Sequence, residues 1–277
     1  MGKYFRKTKE EQKRINRHGK IERYDLPPEF ADTDEVRNFW ANNVNAERLR
    51  GKIVSDAERG SFRYFAQIEE QRFRSHRHLM PWIMGIPPQS KVLEIGCGIG
   101  LDSLQIAKIG HTLTAIDLTD VAVETARKRF DDLGMNATFK VGDAMALEFD
   151  DNTFDCVYSF GVLHHAPDTE KGINEAFRVL KPGGEARIML YNRHSLNELV
   201  HRITGIPFEE RDELCPVVRR YTVNEVMQLF NNFSSVQINR DFLFGEGYGV
   251  LFKFIPRWLY DTLSRYLGWH LMIIAKK

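Results

Sequence analysis

Between Lys91 and Tyr191, short runs of apolar residues alternate with stretches in which apolar side chains return every three or four positions. The runs at 92–95, 113–116, 137–141, 156–160 and 186–191 predict strands. The periodic stretches at 101–109, 121–133 and 169–180 predict helices between them. Regular alternation of the two predicts an α/β fold, a doubly wound parallel sheet with helices on both faces.

The flanks read differently. Asp25-Leu26-Pro27-Pro28 breaks any helix, and an aromatic-rich stretch follows at 35–40. Residues 62–84 carry a broken apolar stripe (Phe65, Ile68, Phe73, Leu79, Trp82, Ile83) that predicts a helix laid against something larger, closed by Pro87-Pro88. Beyond Tyr191 the pattern predicts a helix at 195–204, a loop at 205–221, an amphipathic helix at 222–230, a strand at 235–241, an aromatic helix after Pro256 and a final strand at 271–274. The chain therefore divides into an arm (1–30), an N-terminal helical cap (31–88) and a sheet domain (89–277) with an insertion at about 195–221.

Composition narrows the class. At 277 residues, 43% hydrophobic and 12% aromatic, the chain has enough apolar surface to exclude disordered, collagenous and disulfide-scaffold proteins. A net charge of +1 selects no polyanionic partner overall, although residues 1–24 hold nine basic side chains against three acidic ones. A solvated tail or helix is the favoured reading of that arm, ahead of phosphate or membrane steering. The arm lacks a signal peptide's apolar core, and no later run reaches the roughly 18 apolar residues of a membrane span, so a cytoplasmic location is expected. Cys97, Cys156 and Cys215 form neither an even disulfide set nor a CxxC pair, which fits a reducing compartment.

Candidate chemistry gathers after the first strand of the sheet. Gly96, Gly98 and Gly100 alternate between that strand and a helix, where glycine permits a sharp turn and close approach of a ligand. Leu101 stands where a dinucleotide loop needs a small residue, which disfavours a nicotinamide cofactor. Asp117 ends the second strand about 20 residues after Gly96, the distance at which a carboxylate reaches a ribose diol. Its bland alternative is a helix-entry charge beside Thr119 and Asp120. Asp143, in Gly142-Asp143-Ala144 after the third strand, accepts from an adenine amine or simply forms a turn.

In this order, Val92 to Gly100, Thr114 to Asp117, Gly142-Asp143-Ala144, Phe154 to Ser159 and Leu180-Lys181-Pro182-Gly183-Gly184 resemble class I S-adenosylmethionine-dependent methyltransferases, and within them the type 11, quinone-methyltransferase-like group. The likeness covers residues 89–191, with Gly268-Trp269-His270-Leu271 similar to the group's last strand. It implies a Rossmann-like seven-stranded sheet whose last strand is antiparallel. It implies S-adenosyl-L-methionine as cofactor and S-adenosyl-L-homocysteine as product. The glycines 96, 98 and 100 would lie under the methionine part, Asp117 on the ribose, Leu118 against the adenine, and Asp143 and Ala144 at the adenine edge. Glu94 would act toward the cofactor ammonium, or only stabilise the loop, and Phe160 joins the cofactor-binding set.

Methyl transfer is an in-line displacement, for which a protein aligns the nucleophile, excludes water and, for some acceptors, removes a proton. His164 and His165, after the fourth strand, are the candidate bases, or else one hydrogen-bonds a loop and the other packs. Tyr191, Asn192, Arg193 and His194 lie at the same end of the sheet. His76 and His78, interleaved with arginines, read as a polar helix face, so no metal is expected. Residues 39–82 and 195–221 are the expected walls of an acceptor pocket, with Arg72-Phe73 and Tyr64-Phe65 closing over the cofactor carboxylate. Residues 242–267, rich in Phe, Tyr and Trp, line an apolar pocket, rest on a membrane surface or pack beside the last strands. The expected partner is a small-molecule acceptor, an apolar one among the options. Two rivals stand: an RNA or modified-base methyltransferase using the basic arm, and a cofactor-binding scaffold without turnover.

Overall fold

The computed structural model describes residues 31–43, 48–49, 52–204, 215–245 and 250–277, so the basic arm and most of the 205–221 loop lie outside the described residues. Helix α1 (Thr33–Asn42), a hairpin of β1 (Arg48–Leu49) and β2 (Lys52–Ile53), helix α2 (Phe62–Ser75) and helix α3 (Leu79–Met84) precede the sheet. Then come β3 (Lys91–Ile95), α4 (Leu101–Lys108), β4 (Thr112–Asp117), α5 (Asp120–Asp132), β5 (Thr138–Val141), β6 (Phe154–Phe160), α6 (Thr169–Val179) and β7 (Leu180–Asn192). The remainder is α7 (Leu196–Thr204), β8 (Arg220–Tyr221), α8 (Val223–Leu229), β9 (Ser235–Asp241), α9 (Val250–Phe254), α10 (Arg257–Leu267) and β10 (His270–Lys276).

The main sheet runs β5-β4-β3-β6-β7-β10-β9, with the short β8 on β7. Its first five strands pair in parallel, whereas β10 is antiparallel to both neighbours, Met272 facing Met189 and Asn239. This is the seven-strand path with an antiparallel final strand, accompanied by the helical segments at the N-terminal side. Alternate residues of the strands feed two cores, as a sheet covered on both faces requires. Leu93, Ile95, Val157, Ile188 and Ile273 pack with α6 and α8, while Val92, Cys156, Tyr158, Met189 and Met272 pack with α3, α4 and α5.

Two details differ from the sequence pattern. The helical stretch at 62–84 breaks at His76, where φ −103° and ψ 69° leave the helical region, and α3 restarts at Leu79. The fifth long strand begins at Leu180, and Pro182-Gly183-Gly184 forms an irregularity inside it rather than a turn before it. There Gly183 takes φ +78°, and a Cβ on Gly184 would fall 2.9 Å from the carbonyls of Asp155 and Lys181, so both positions demand glycine.

The chain order reverses between β3 and β6, which opens a crevice at the carboxyl ends of those strands. Every loop that carried candidate chemistry in the sequence leaves the sheet from that end.

Candidate active site

An open cleft with a cavity volume of about 130 Å³ lies over this crevice. Its floor is the glycine loop. Backbone N–H groups of Gly96 and Cys97 both donate to the Ile116 carbonyl at 2.8 and 2.9 Å, stitching the loop to the end of β4. Gly96, at φ +80°, has no room for a side chain, since a Cβ would sit 2.1 Å from Val162. Gly98, at φ +52°, faces open space, so a ligand can meet its backbone directly.

Asp117 lines the cleft with both oxygens already engaged. Oδ2 accepts from Gly98 N–H at 2.9 Å, and Oδ1 accepts from the Thr119 N–H and hydroxyl, each at 3.0 Å. Burial pushes its pKa up, and these donors oppose that shift. A carboxylate offers about four lone-pair sites, so capacity remains for a further donor. The Asp117 carbonyl receives Gly142 N–H at 2.9 Å, which fixes the next loop beside it. There Asp143 accepts from Met145 N–H at 2.8 Å through Oδ1, and Asp143 and Ala144 line the same wall with Leu118.

Glu94 is buried at the end of β3 and accepts from the Ser103 hydroxyl at 2.5 Å. Burial, with Asp102 adding to it, raises its pKa to about 8, so the carboxyl holds a proton at neutral pH. Above it stands Arg72 of α2, which the cap delivers into the cleft. Its Nε and Nη2 donate to the two oxygens of Asp102, each at 2.7 Å, and Tyr158 donates to Asp102 Oδ2 at 2.9 Å. Burial disfavours the Arg72 charge, but Asp102 outweighs it and the net pKa is raised. Its guanidinium also lies 5.2 Å from the Phe160 ring centre, and Phe160 lines the cleft.

The two candidate histidines part company in the 3₁₀ turn Leu163–His165. His165 lines the cleft, with Nδ1 2.7 Å from the Val217 carbonyl and the ring edge-on to Trp40 at 4.9 Å. Donation from Nδ1 makes Nε2 the lone-pair nitrogen. His164 is fully buried outside the cleft lining, 3.8 Å between centroids from Tyr191. Burial first, and His165 second, push its pKa well down. Gly100 also stands outside the lining; at φ +75° it caps α4, and it packs so closely on α5 that a Cβ there would lie 3.1 Å from the Ala126 methyl.

Other polar residues at this end serve packing. Asn192 donates to the Gly268 and His194 carbonyls at 2.8 and 3.1 Å, and Arg193 reaches Glu225 at 3.0 Å. His78 and His270 share a 3.0 Å contact, and His76 stacks on Phe242 at 4.6 Å. Burial lowers the pKa of both His76 and His78 to about 3, so this group stays neutral.

Of the roof of the cleft, the sequence pattern placed Trp40 in an expected wall, residues 39–82, but not Thr33 or Val36. Thr33, Val36 and Trp40 of α1 line it, Val36 and Trp40 packing with Leu118, and Arg37 donates to the Leu118 carbonyl at 3.3 Å. For the part before residue 39, the aromatic-rich character of residues 35–40 was the one signal in the sequence. Tyr64 and Phe65 instead pack with Ile99 and Leu101 behind the glycine loop, and Phe73 joins the core under the sheet.

Residues 92–184 match the family model of a methyltransferase domain. Sterol 24-C-methyltransferase of Yarrowia lipolytica is 37% identical over 131 residues, covering 45% of this chain and 34% of that protein. Cycloartenol-C-24-methyltransferase 1 of Oryza sativa is 31% identical over 180 residues, covering 63% and 46%. The chain thus aligns with between a third and a half of the length of these curated relatives. Among solved structures, magnesium protoporphyrin IX methyltransferase of Synechocystis PCC 6803, with bound S-adenosylhomocysteine, shares the fold at TM-score 0.58 and 14% identity, covering 89% of this chain and all of that one.

Proposed function

We propose that residues 92–184, which match the model of a methyltransferase domain, form one of the class I, S-adenosylmethionine-dependent type, and that this protein transfers a methyl group from that cofactor to a small, apolar acceptor. The observation that carries the reading is the convergence of Gly98, Glu94, Arg72, Asp117 and Asp143 on one cleft at the switch point of the sheet. These residues fit the group. Open backbone at Gly98 admits its methionine part, the Arg72 guanidinium suits a carboxylate, Glu94 an ammonium, Asp117 a diol and Asp143 an exocyclic amine.

When bound, the cofactor supplies an electrophilic methyl on a sulfonium. The protein's part is alignment and exclusion of water. Phe160, Val162 and Met145 line the cleft with apolar surface, and Trp40 with Val36 roofs it. His165, its tautomer set by the Val217 carbonyl, takes the proton that the acceptor loses, through Nε2. His164 takes no part, being held neutral in the core under Tyr191. An apolar acceptor agrees with the relatives, which are sterol and cycloartenol methyltransferases. A fold alone does not guarantee turnover, so transfer itself is the test.

Labelled S-adenosylmethionine incubated with the protein and a sterol panel should yield a methylated product. His165→Gln should lower turnover by about 10²-fold or more with cofactor affinity within about threefold, since a positioned base contributes about that factor. Equal turnover in His165→Gln and the parent would remove the base role. Binding of the cofactor with no transfer to any lipid, small-molecule or RNA acceptor would favour a scaffold.

A further inference from the structure

Helices α9 and α10 bury one side and leave the other in an unusual state. Phe252, Tyr260 and Leu263 pack with Leu243, Phe244 and Leu196 of α7, and the Tyr260 hydroxyl donates to the Phe244 carbonyl at 2.9 Å. The outward side keeps large rings in water: Phe254 is 77% exposed, Trp258 70% and Tyr266 69%. Trp258 and Tyr266 stand two turns apart on α10 with the exposed Thr262 between them, so they form one stripe. Lys253, Arg257 and Arg265, all exposed, flank it.

Single exposed apolar residues are ordinary, but three aromatic rings with interleaved cations on one short segment are a patterned surface. Trp and Tyr combine an apolar body with a polar tip and favour the boundary between lipid headgroups and acyl chains, and Lys and Arg beside them favour anionic headgroups. We infer that the outward side of α9 and α10 seats this protein on the surface of an anionic phospholipid bilayer. Phe254, Trp258 and Tyr266 enter the headgroup boundary, and Lys253 and Arg265 meet phosphates, while Arg257 neutralises Asp261.

Charge decides the occupant. A second copy of the same face would bring two net-positive patches together, because a two-fold interface pairs a surface with itself. The acid on α10, Asp261, is already engaged by Arg257 at 2.9 Å. Among the described residues no helix is long and apolar enough to cross a membrane, so the contact is one of lying on the surface. This inference rests on the surface alone and is independent of the methyl-transfer reading.

The test uses the full chain and tryptophan fluorescence. Of the four tryptophans, Trp82 and Trp269 are buried, Trp40 is half-buried at the cleft, and the basic arm has none. Mixed with vesicles containing phosphatidylserine, the protein should show a blue-shifted emission quenched by brominated acyl chains, and Trp258→Phe should lose the quenched component. Phosphatidylcholine vesicles should bind far less. Replacing Lys253 and Arg265 together by Gln should weaken partition by about twenty-five-fold, about fivefold for each cation. Vesicle binding without quenching of Trp258 would assign the attraction to the arm and overturn the proposal. So would equal binding to both vesicle types, or a concentration-dependent dimer that shields Trp258.

Discussion

Replacing Asp117 by Asn tests the cofactor site at its most specific contact. The carboxylate holds Gly98 N–H at 2.9 Å and two donors of Thr119 at 3.0 Å, so it shapes the glycine loop and, on the proposed reading, would also meet the diol. Asn keeps a carbonyl oxygen for one of these donors and removes the charge. A hydrogen bond to a charged group contributes about 1.5–3 kcal/mol net, so losing the charge toward the diol should cost about 2–3 kcal/mol, or roughly thirty- to 150-fold in Kd for S-adenosylmethionine. Asp117→Ala should lose as much affinity and also leave Gly98 N–H without its partner, at about 1–3 kcal/mol of stability. Thr119→Val is the control. It removes a hydroxyl donor to Asp117 and the N-cap of α5, so it should cost about 1 kcal/mol of stability and leave affinity within about threefold. Calorimetric titration gives the affinities and thermal unfolding the stabilities. An Asp117→Asn protein that binds the cofactor as tightly as the parent would refute the diol assignment and leave Asp117 as a loop tether.

Three further perturbations probe the surrounding groups. Glu94 has its pKa raised to about 8, so the folded state keeps a proton that the unfolded chain releases above its ordinary value of 4.5; stability should fall as pH rises from about 4.5 to 8. Glu94→Gln should flatten that slope in thermal unfolding between pH 5 and 8, and a slope unchanged in the variant would contradict a protonated Glu94. In the parent, an incoming ammonium should drive the proton off, seen as buffer-dependent heat of cofactor binding near pH 7. Arg72→Met strands the buried Asp102 carboxylate, at about 3–5 kcal/mol of stability, and Arg72→Lys should recover only part of it because Lys cannot make the two-pronged contact; full rescue by Lys would deny that geometry. Gly96→Ala should fail to yield stable protein, since its Cβ falls 2.1 Å from Val162, whereas Gly98→Ala should fold with a cost of about 1–2 kcal/mol and bind cofactor more weakly; equal unfolding temperatures for the two variants would count against this division.

Much of the frame is legible in the chain because its signals are local. The apolar run Val92–Ile95 followed by Gly96, and the acid after β4, lie within single strand-loop units, and the sheet returns them at the expected end. The cap's contribution is not local. Arg72 and Asp102 are thirty residues apart, and nothing in either segment announces a bidentate pair, which only the packing of α2 on α4 creates. His164 and His165 are indistinguishable by type or position, and the 3₁₀ turn alone sends one ring under Tyr191 and the other into the cleft. Gly100 continues the alternation of Gly96 and Gly98, yet its φ of +75° serves the start of α4 and its contact with Ala126. Trp40 falls inside the expected wall at 39–82, but Val36, a turn earlier on the same helix, roofs the cleft with no signal of its destination.

The central claim is a cofactor cleft that performs methyl transfer, and its most direct test is titration of the purified protein with S-adenosylmethionine, S-adenosylhomocysteine and reduced nicotinamide cofactor, followed by product analysis with an added sterol. The account predicts binding of both sulfur ligands, none of the nicotinamide, and appearance of methylated product with stoichiometric S-adenosylhomocysteine. Absence of binding by both sulfur ligands, with and without the acceptor present, would contradict it.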